Sequence, residues 1–156
     1  MTFDIADMRR RAEEGSCPSQ CMLGLCYLYG LDVEIDYKEA FRFLSAAAEQ
    51  RSSRAVLNLG RIYARGLGIP QDGPTAIRHF EAVAKPSDSS DAFPARIELG
   101  RIFSRGLGVA VNTDLALKWY SSAVEIAVEE EEDPDELREA REYIEGTNKP
   151  PLPHSG

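Results

Sequence analysis

The chain has 156 residues, 43% of them hydrophobic and 28% charged, with a net charge of −8. That length suits one ordinary domain, and no apolar run approaches the ~20 residues of a membrane span. The acidity is local: residues 125–145 carry eleven acids against two bases, leaving the rest nearly neutral, so nonspecific nucleic-acid binding is disfavoured.

The opening residues, Met1 to Arg11, contain no apolar stretch of signal-peptide type, which predicts a cytoplasmic protein. A first helix is expected over about 4–14, with Ile5, Met8 and Ala12 on one face and Gly15 as its stop. It resembles the second helix of a helical pair that lacks its first, an N-terminal cap. Cys17, Cys21 and Cys26 fall within ten residues, and the histidines are His79 and His154. No second ligand pair accompanies them, so neither a metal site nor a cofactor is expected. The cysteines read as small apolar residues in a reducing compartment, with a redox pair of Cys17 and Cys21 as the alternative.

Pro18 suits the first turn of a helix that ends at Gly30. Asp36 followed by Glu39 is a capping-box pattern opening a helix over about 37–50, with Ala40, Phe43, Leu44 and Ala47 on one face. The plan then recurs. Ser52 or Ser53 caps a helix to Arg65, Gly66 and Gly68 make a turn, and Asp72 and Pro74 start a helix carrying Ala76, Ile77, Phe80 and Ala84. Lys85 to Asp91 reads as a polar surface loop. A third pair covers about 92–104 and 113–128, the latter with Ala116, Trp119, Tyr120 and Ala123. Glu129 to Glu132 should fray its C-terminal end. The Asp133-Pro134-Asp135-Glu136 signal opens a C-terminal capping helix over about 134–145, stopped by Gly146, and 147–156 reads as a disordered tail. Within that tail, Pro-Pro-Leu-Pro is more simply a plain tail than a ligand for a proline-binding domain.

Three stretches of this chain are copies of one another. Leu59-Gly60-Arg61-Ile62-Tyr63 returns as Leu99-Gly100-Arg101-Ile102-Phe103, and a looser copy is Leu23-Gly24-Leu25-Cys26-Tyr27. The glycines are 36 and 40 residues apart. Such a period marks a repeat array in which each unit covers its neighbour's apolar face. A mid-helix glycine costs about 1 kcal/mol against alanine, so Gly24, Gly60 and Gly100 need a packing reason. The expectation is close backbone approach, with Ala40, Ala76 and Ala116 as the other half of the contact. Tyr27, Tyr63 and Phe103 would wedge between the paired helices. Gly30, Gly66 and Gly106 would end the first helices in left-handed geometry. Asp32 replaces Gly68 and Gly108 in the first turn, whose shape could therefore differ. The Gly-Leu-Gly of the later turns lacks the lysine and preceding strand of a phosphate-binding loop.

The pattern Leu-Gly-x-x-Tyr/Phe-x-x-Gly-x-Gly/Asp-Ile/Val, followed by Asp36, Asp72 or Asn112 and then the alanine, resembles the Sel1-like repeat family, relatives of the tetratricopeptide repeats. The resemblance implies an all-α, right-handed superhelical solenoid of about three repeats (18–51, 52–90 and 91–128) between the two capping helices. It also implies an adaptor that binds a protein or peptide in the groove lined by the first helices. At −2, +1 and +5 from each glycine, that groove would present Met22, Leu25 and Tyr29, then Asn58, Arg61 and Arg65, then Glu98, Arg101 and Arg105. The four arginines would form a basic ladder suited to an acidic partner, unless they pair with Glu98 or with the second helices. The acidic 125–145 segment is either a solvated face or a docking surface. An immunity or inhibitor protein that neutralises an effector is the alternative function. No enzyme is expected: His79 has no candidate nucleophile nearby. Ends that both look capped favour a monomer.

Overall fold

The computed structural model describes residues 4–85, 90–129 and 135–148, and among these it is helical without a strand. The helices are α1 (Ile5–Glu13), α2 (Cys17–Tyr29), α3 (Tyr37–Glu49), α4 (Ser53–Arg65), α5 (Gly73–Ala84), α6 (Ala92–Arg105), α7 (Thr113–Glu129) and α8 (Asp135–Asn148). Each packs chiefly on its neighbours in sequence, giving the pairs α2/α3, α4/α5 and α6/α7 in a row between α1 and α8. The first helices also approach one another directly, α2 to α4, α4 to α6 and α6 to α8, so they line the inner side of the stack.

The second helix of each pair starts the same way. The side chain of Asp36 accepts from the Lys38 and Glu39 amides, that of Asp72 from Thr75, and that of Asn112 from Leu115. The expected capping box at Asp36 is only half made. The Asp36 amide donates to the Tyr27 carbonyl, and the Glu39 carboxylate turns to Arg42 and Arg9 instead. The same backbone bond recurs from Asp72 to Tyr63 and from Asn112 to Phe103. It fixes the angle between the two helices of every unit and leaves a Glu at that position no amide to reach.

The mid-helix glycines make a different contact from the expected one. A Cβ on Gly24 would lie 2.7 Å from Leu44 Cγ, one on Gly60 2.6 Å from Phe80 Cε1, and one on Gly100 2.5 Å from Tyr120 Cδ1. The partner is thus the large side chain twenty residues on, not the alanine sixteen on. Ala40, Ala76 and Ala116 are fully buried one turn earlier, while the long side chains reach across to lie over the bare backbone. Burying each stabilises the pair by roughly 1.5–3 kcal/mol, which offsets the propensity cost of the glycine. Tyr27 stacks on Phe43 of its own unit, but Tyr63 bridges units, meeting Phe41 edge-on and lying 5.3 Å from the His79 ring.

Asp32 adopts φ 56°, the same left-handed turn as Gly68 (φ 70°) and Gly108 (φ 71°). The first turn therefore keeps the common shape. What separates the positions is the preceding unit. A Cβ on Gly68 would strike Tyr37 Cβ at 2.7 Å, and one on Gly108 the Gly73 nitrogen at 2.7 Å.

Three further expectations change. Asp91 is not part of a surface loop: it is buried, and its carboxylate takes bonds from Ser53 Oγ (2.7 Å) and Arg54 Nε (2.5 Å). Gly146 does not stop the last helix, which runs on to Asn148 with Thr147 Oγ1 bonded to the Tyr143 carbonyl. Residues 147 and 148, expected in the tail, are therefore helical. Residues 86–89, the acidic run at 130–134 with its capping signal, and the 149–156 tail lie outside the described residues.

α8 continues the first-helix pattern in weakened form. Leu137, Ala140, Tyr143 and Gly146 repeat the spacing of Ile97, Gly100, Phe103 and Gly106. Gln20 and Arg96, both four residues before their glycine, reach back to the last turn of the preceding helix. Gln20 donates to the Ala12 carbonyl and Arg96 to that of Ala84, with a further bond from Arg96 to the Ser122 carbonyl of α7. α1 thus stands to α2 as α5 stands to α6.

Candidate functional site

The inner face is made of one stripe per first helix, at spacings of four, three and four residues. It reads Pro18, Met22, Leu25, Tyr29 on α2, then Arg54, Asn58, Arg61, Arg65 on α4, then Pro94, Glu98, Arg101, Arg105 on α6. Residues one helical turn apart share a face, so each expected trio falls on one stripe, with Asn58 and Glu98 buried within it. The earliest rung, Pro18, Arg54 and Pro94, was missed, although extending the same spacing one turn toward each N-terminus reaches it.

A depression of about 250 Å³ opens where the three stripes meet, lined by Leu25, Tyr29, Arg54, Leu57, Asn58, Arg61, Asp91 and Pro94. Its lining mixes apolar side chains (Leu25, Leu57, Pro94) with polar ones (Arg54, Asn58, Arg61, Asp91). Asn58 is 1% exposed and fully engaged. Its Nδ2 donates to the Arg54 carbonyl, and its Oδ1 accepts from Tyr29 Oη (2.9 Å) and from Arg61 (3.3 Å). Tyr29 itself stays exposed. Met22 lies apart, in a shallower apolar recess between α1 and α2 with Met8, Pro18 and Asp7.

The four arginines do not form an open basic ladder. Glu98, buried on α6, accepts from Arg61 Nε at 2.8 Å and from Arg101 at 3.3 Å. Glu139 of α8 binds Arg101 at 2.7 Å and Arg105 at 2.6 Å. Arg61 and Arg101 are only 18% and 17% exposed. Burial works against the charge on Arg61, but Glu98 and the Tyr29 hydroxyl outweigh it and hold its guanidinium above the ordinary value. Arg101 is raised in the same way, burial being overcome by its bond to Glu139 and by Glu98. Glu139 is the mirror case: burial would raise its carboxyl, yet Arg101 and Arg105 hold it below the usual carboxylate range. The alternative of pairing with Glu98 thus describes the inner rungs. Glu139 lies in the acidic 125–145 segment, and its carboxylate turns to Arg101 and Arg105.

Arg65 differs. It is 46% exposed and reaches Glu98 only at 3.7 Å. Arg54, also exposed, is tied to Asp91. His79 lies on α5, its Nδ1 2.9 Å from the Thr75 carbonyl. Cys26 is buried where Ile62 and Ile102 stand in the other units, and burial raises the Cys21 thiol. All three cysteines are free thiols. Among the described residues no group of three or more His, Cys, Asp or Glu could hold a metal, and no helix is long and apolar enough to cross a membrane.

Comparison with known proteins places this geometry. The Sel1 repeat family model matches residues 17–52, 53–85 and 94–125. Among curated proteins, the chain is 29% identical over 88 residues to the ERAD-associated E3 ubiquitin-protein ligase component HRD3B of Arabidopsis thaliana, and 34% identical over 79 residues to Protein sel-1 homolog 2 of Rattus norvegicus. These alignments cover 56% and 50% of this chain but only 14% and 12% of those proteins. Among solved structures, a Sel1 repeat protein from Oxalobacter formigenes matches with a TM-score of 0.61 and 27% identity, over 83% of this chain and 47% of that one. The protective antigen c5321 of uropathogenic Escherichia coli, of SLR fold, matches at 0.67 and 25%, over 95% and 34%. Helicobacter pylori cysteine rich protein B shares the fold at a TM-score of 0.57 and 18% identity, over 82% and 94%. With its three matched repeats spanning well over half of its length, the chain belongs to the Sel1 repeat family, whose repeats mediate protein–protein interaction.

Proposed function

We propose that this protein is a non-catalytic binding module that takes a segment of another protein across the inner face of α2, α4 and α6. The observation that carries this reading is the depression between Leu25, Tyr29, Leu57 and Pro94. It joins three units, sets Leu25, Leu57 and Pro94 beside polar groups, and has an exposed tyrosine at its rim whose hydroxyl is already held in place by Asn58. Rigid, partly exposed aromatics over a pocket are what interfaces use as anchors. The charged groups that line it are engaged in ion pairs, Arg54 with Asp91 and Arg61 with Glu98. The free cysteines agree with a reducing, cytoplasmic setting.

The test is selection of a displayed random-peptide library on the purified protein, followed by titration of the enriched peptides. Tyr29→Ala and Leu25→Glu should each weaken binding at least tenfold. Arg78→Glu, on the exposed side of α5, should leave it unchanged. Enriched peptides that bind Tyr29→Ala and Leu25→Glu as tightly as the parent would remove the inner face from the account.

A further inference from the structure

The inner face is charged, but most of its charge is already answered from within. Arg54 is held by Asp91, Arg61 by Glu98, and Arg101 and Arg105 by Glu139. Arg65 stands apart from these. It lies one turn beyond Arg61 on the same stripe, it is half-exposed, and its ion pair is a long contact to a carboxylate oxygen that Arg61 and Arg101 already share. An incoming carboxylate would displace no strong bond there, and the planar guanidinium can grip it with two parallel N–H bonds.

Resting on the inner-face reading, we propose that Arg65 sets the specificity of this surface. The bound segment carries an aliphatic or aromatic anchor that seats between Leu25, Leu57 and Pro94, and an aspartate or glutamate that Arg65 receives about two helical turns beyond Leu57. The expected acidic partner is thereby narrowed from four arginines to one, and the acid is tied to a neighbouring apolar residue. A run of acids is not what the face would select. Beyond Arg65, Arg101 and Arg105 already share the Glu139 carboxylate, so an incoming acid gains less there than at Arg65.

Selections of the same displayed library on the parent protein and on Arg65→Glu test this. On the parent, the enriched peptides should share one acidic residue at a fixed spacing from an apolar one, and Arg65→Gln should weaken them about tenfold. On Arg65→Glu, the acid should give way to Lys or Arg at the same spacing. Arg78→Gln, exposed on α5 and outside the inner face, should change affinity less than twofold. Peptides without a shared acid, or with an acid that Arg65→Gln does not weaken, overturn the assignment to Arg65. If those peptides still lose binding with Tyr29→Ala, the inner-face reading stands without it. Binding unaffected by either Tyr29→Ala or Arg65→Gln overturns both, as does a library that yields no binder.

Discussion

The ring of Tyr120 lies so close over the backbone of Gly100 that a single added methyl group would sit 2.5 Å from it. The ring is buried and lies 5.1 Å from that of Tyr143 on α8, so it has nowhere to swing. Gly100→Ala gains about 1 kcal/mol in helix propensity but forces an overpacked contact that costs about 1–3 kcal/mol. The variant should be less stable by urea denaturation. Gly146, also helical, has open space around its Cβ position, and Gly146→Ala should raise the midpoint by up to about 1 kcal/mol equivalent. A stabilising Gly100→Ala would mean the ring does not lie as described.

Position 108 separates backbone preference from packing. Asp32 shows that a non-glycine residue sustains this left-handed turn, where such residues ordinarily cost about 1–2 kcal/mol. At Gly108 a side chain also meets the Gly73 backbone at 2.7 Å, and backbone does not move aside. Gly108→Asp should therefore destabilise well beyond that figure, while Asp32→Gly shifts stability by less than about 1 kcal/mol. Equal effects at the two sites would show that conformation alone governs the turn.

Acid should loosen the join between α6 and α8. The Glu139 carboxyl is held below the ordinary glutamate range by Arg101 and Arg105. Its contribution is therefore fully present above that ordinary range and is lost as pH falls through the depressed value. Glu39, lowered chiefly by its bond to Arg42, adds in the same direction. Urea midpoints measured from neutral pH into acid should decline, and Glu139→Gln should start lower and decline less. Added salt should weaken the exposed Arg105 arm more than the shielded Arg101 arm. A parallel pH profile in Glu139→Gln would count against the ion pair.

The features legible in the sequence are those that each unit repeats. The glycine spacing located α2 through α7, and the caps at Asp36, Asp72 and Asn112 follow from local backbone need. The Gly60–Phe80 contact was misassigned to Ala76 because both residues share the buried face of α5, and spacing alone does not say which is long enough to cross. The site was legible as a stripe but not as an electrostatic surface. Glu98 was visible as a possible partner for the ladder. Asp91 sat in a polar loop and Glu139 in a run of acids, and neither context signals a carboxylate turned inward by a helix 37 or 38 residues away.

Glu98 should be the most sensitive polar position on the inner face. Removing one partner of a buried ion pair leaves an uncompensated charge and costs about 3–5 kcal/mol. Glu98→Ala strands Arg61, while Arg101 keeps Glu139, so the loss should fall toward the lower end of that range. The first unit shows how to relieve it: Leu25 stands where Arg61 does. Arg61→Leu in the Glu98→Ala background removes the stranded charge and should recover more than half of the lost stability, although Arg61→Leu alone is destabilising. A double-mutant cycle from urea midpoints measures the coupling. Additive losses would show that Arg61 and Glu98 do not depend on each other. The inner face would then be a set of independent surface charges, with no reason for Arg65 to differ from its neighbours.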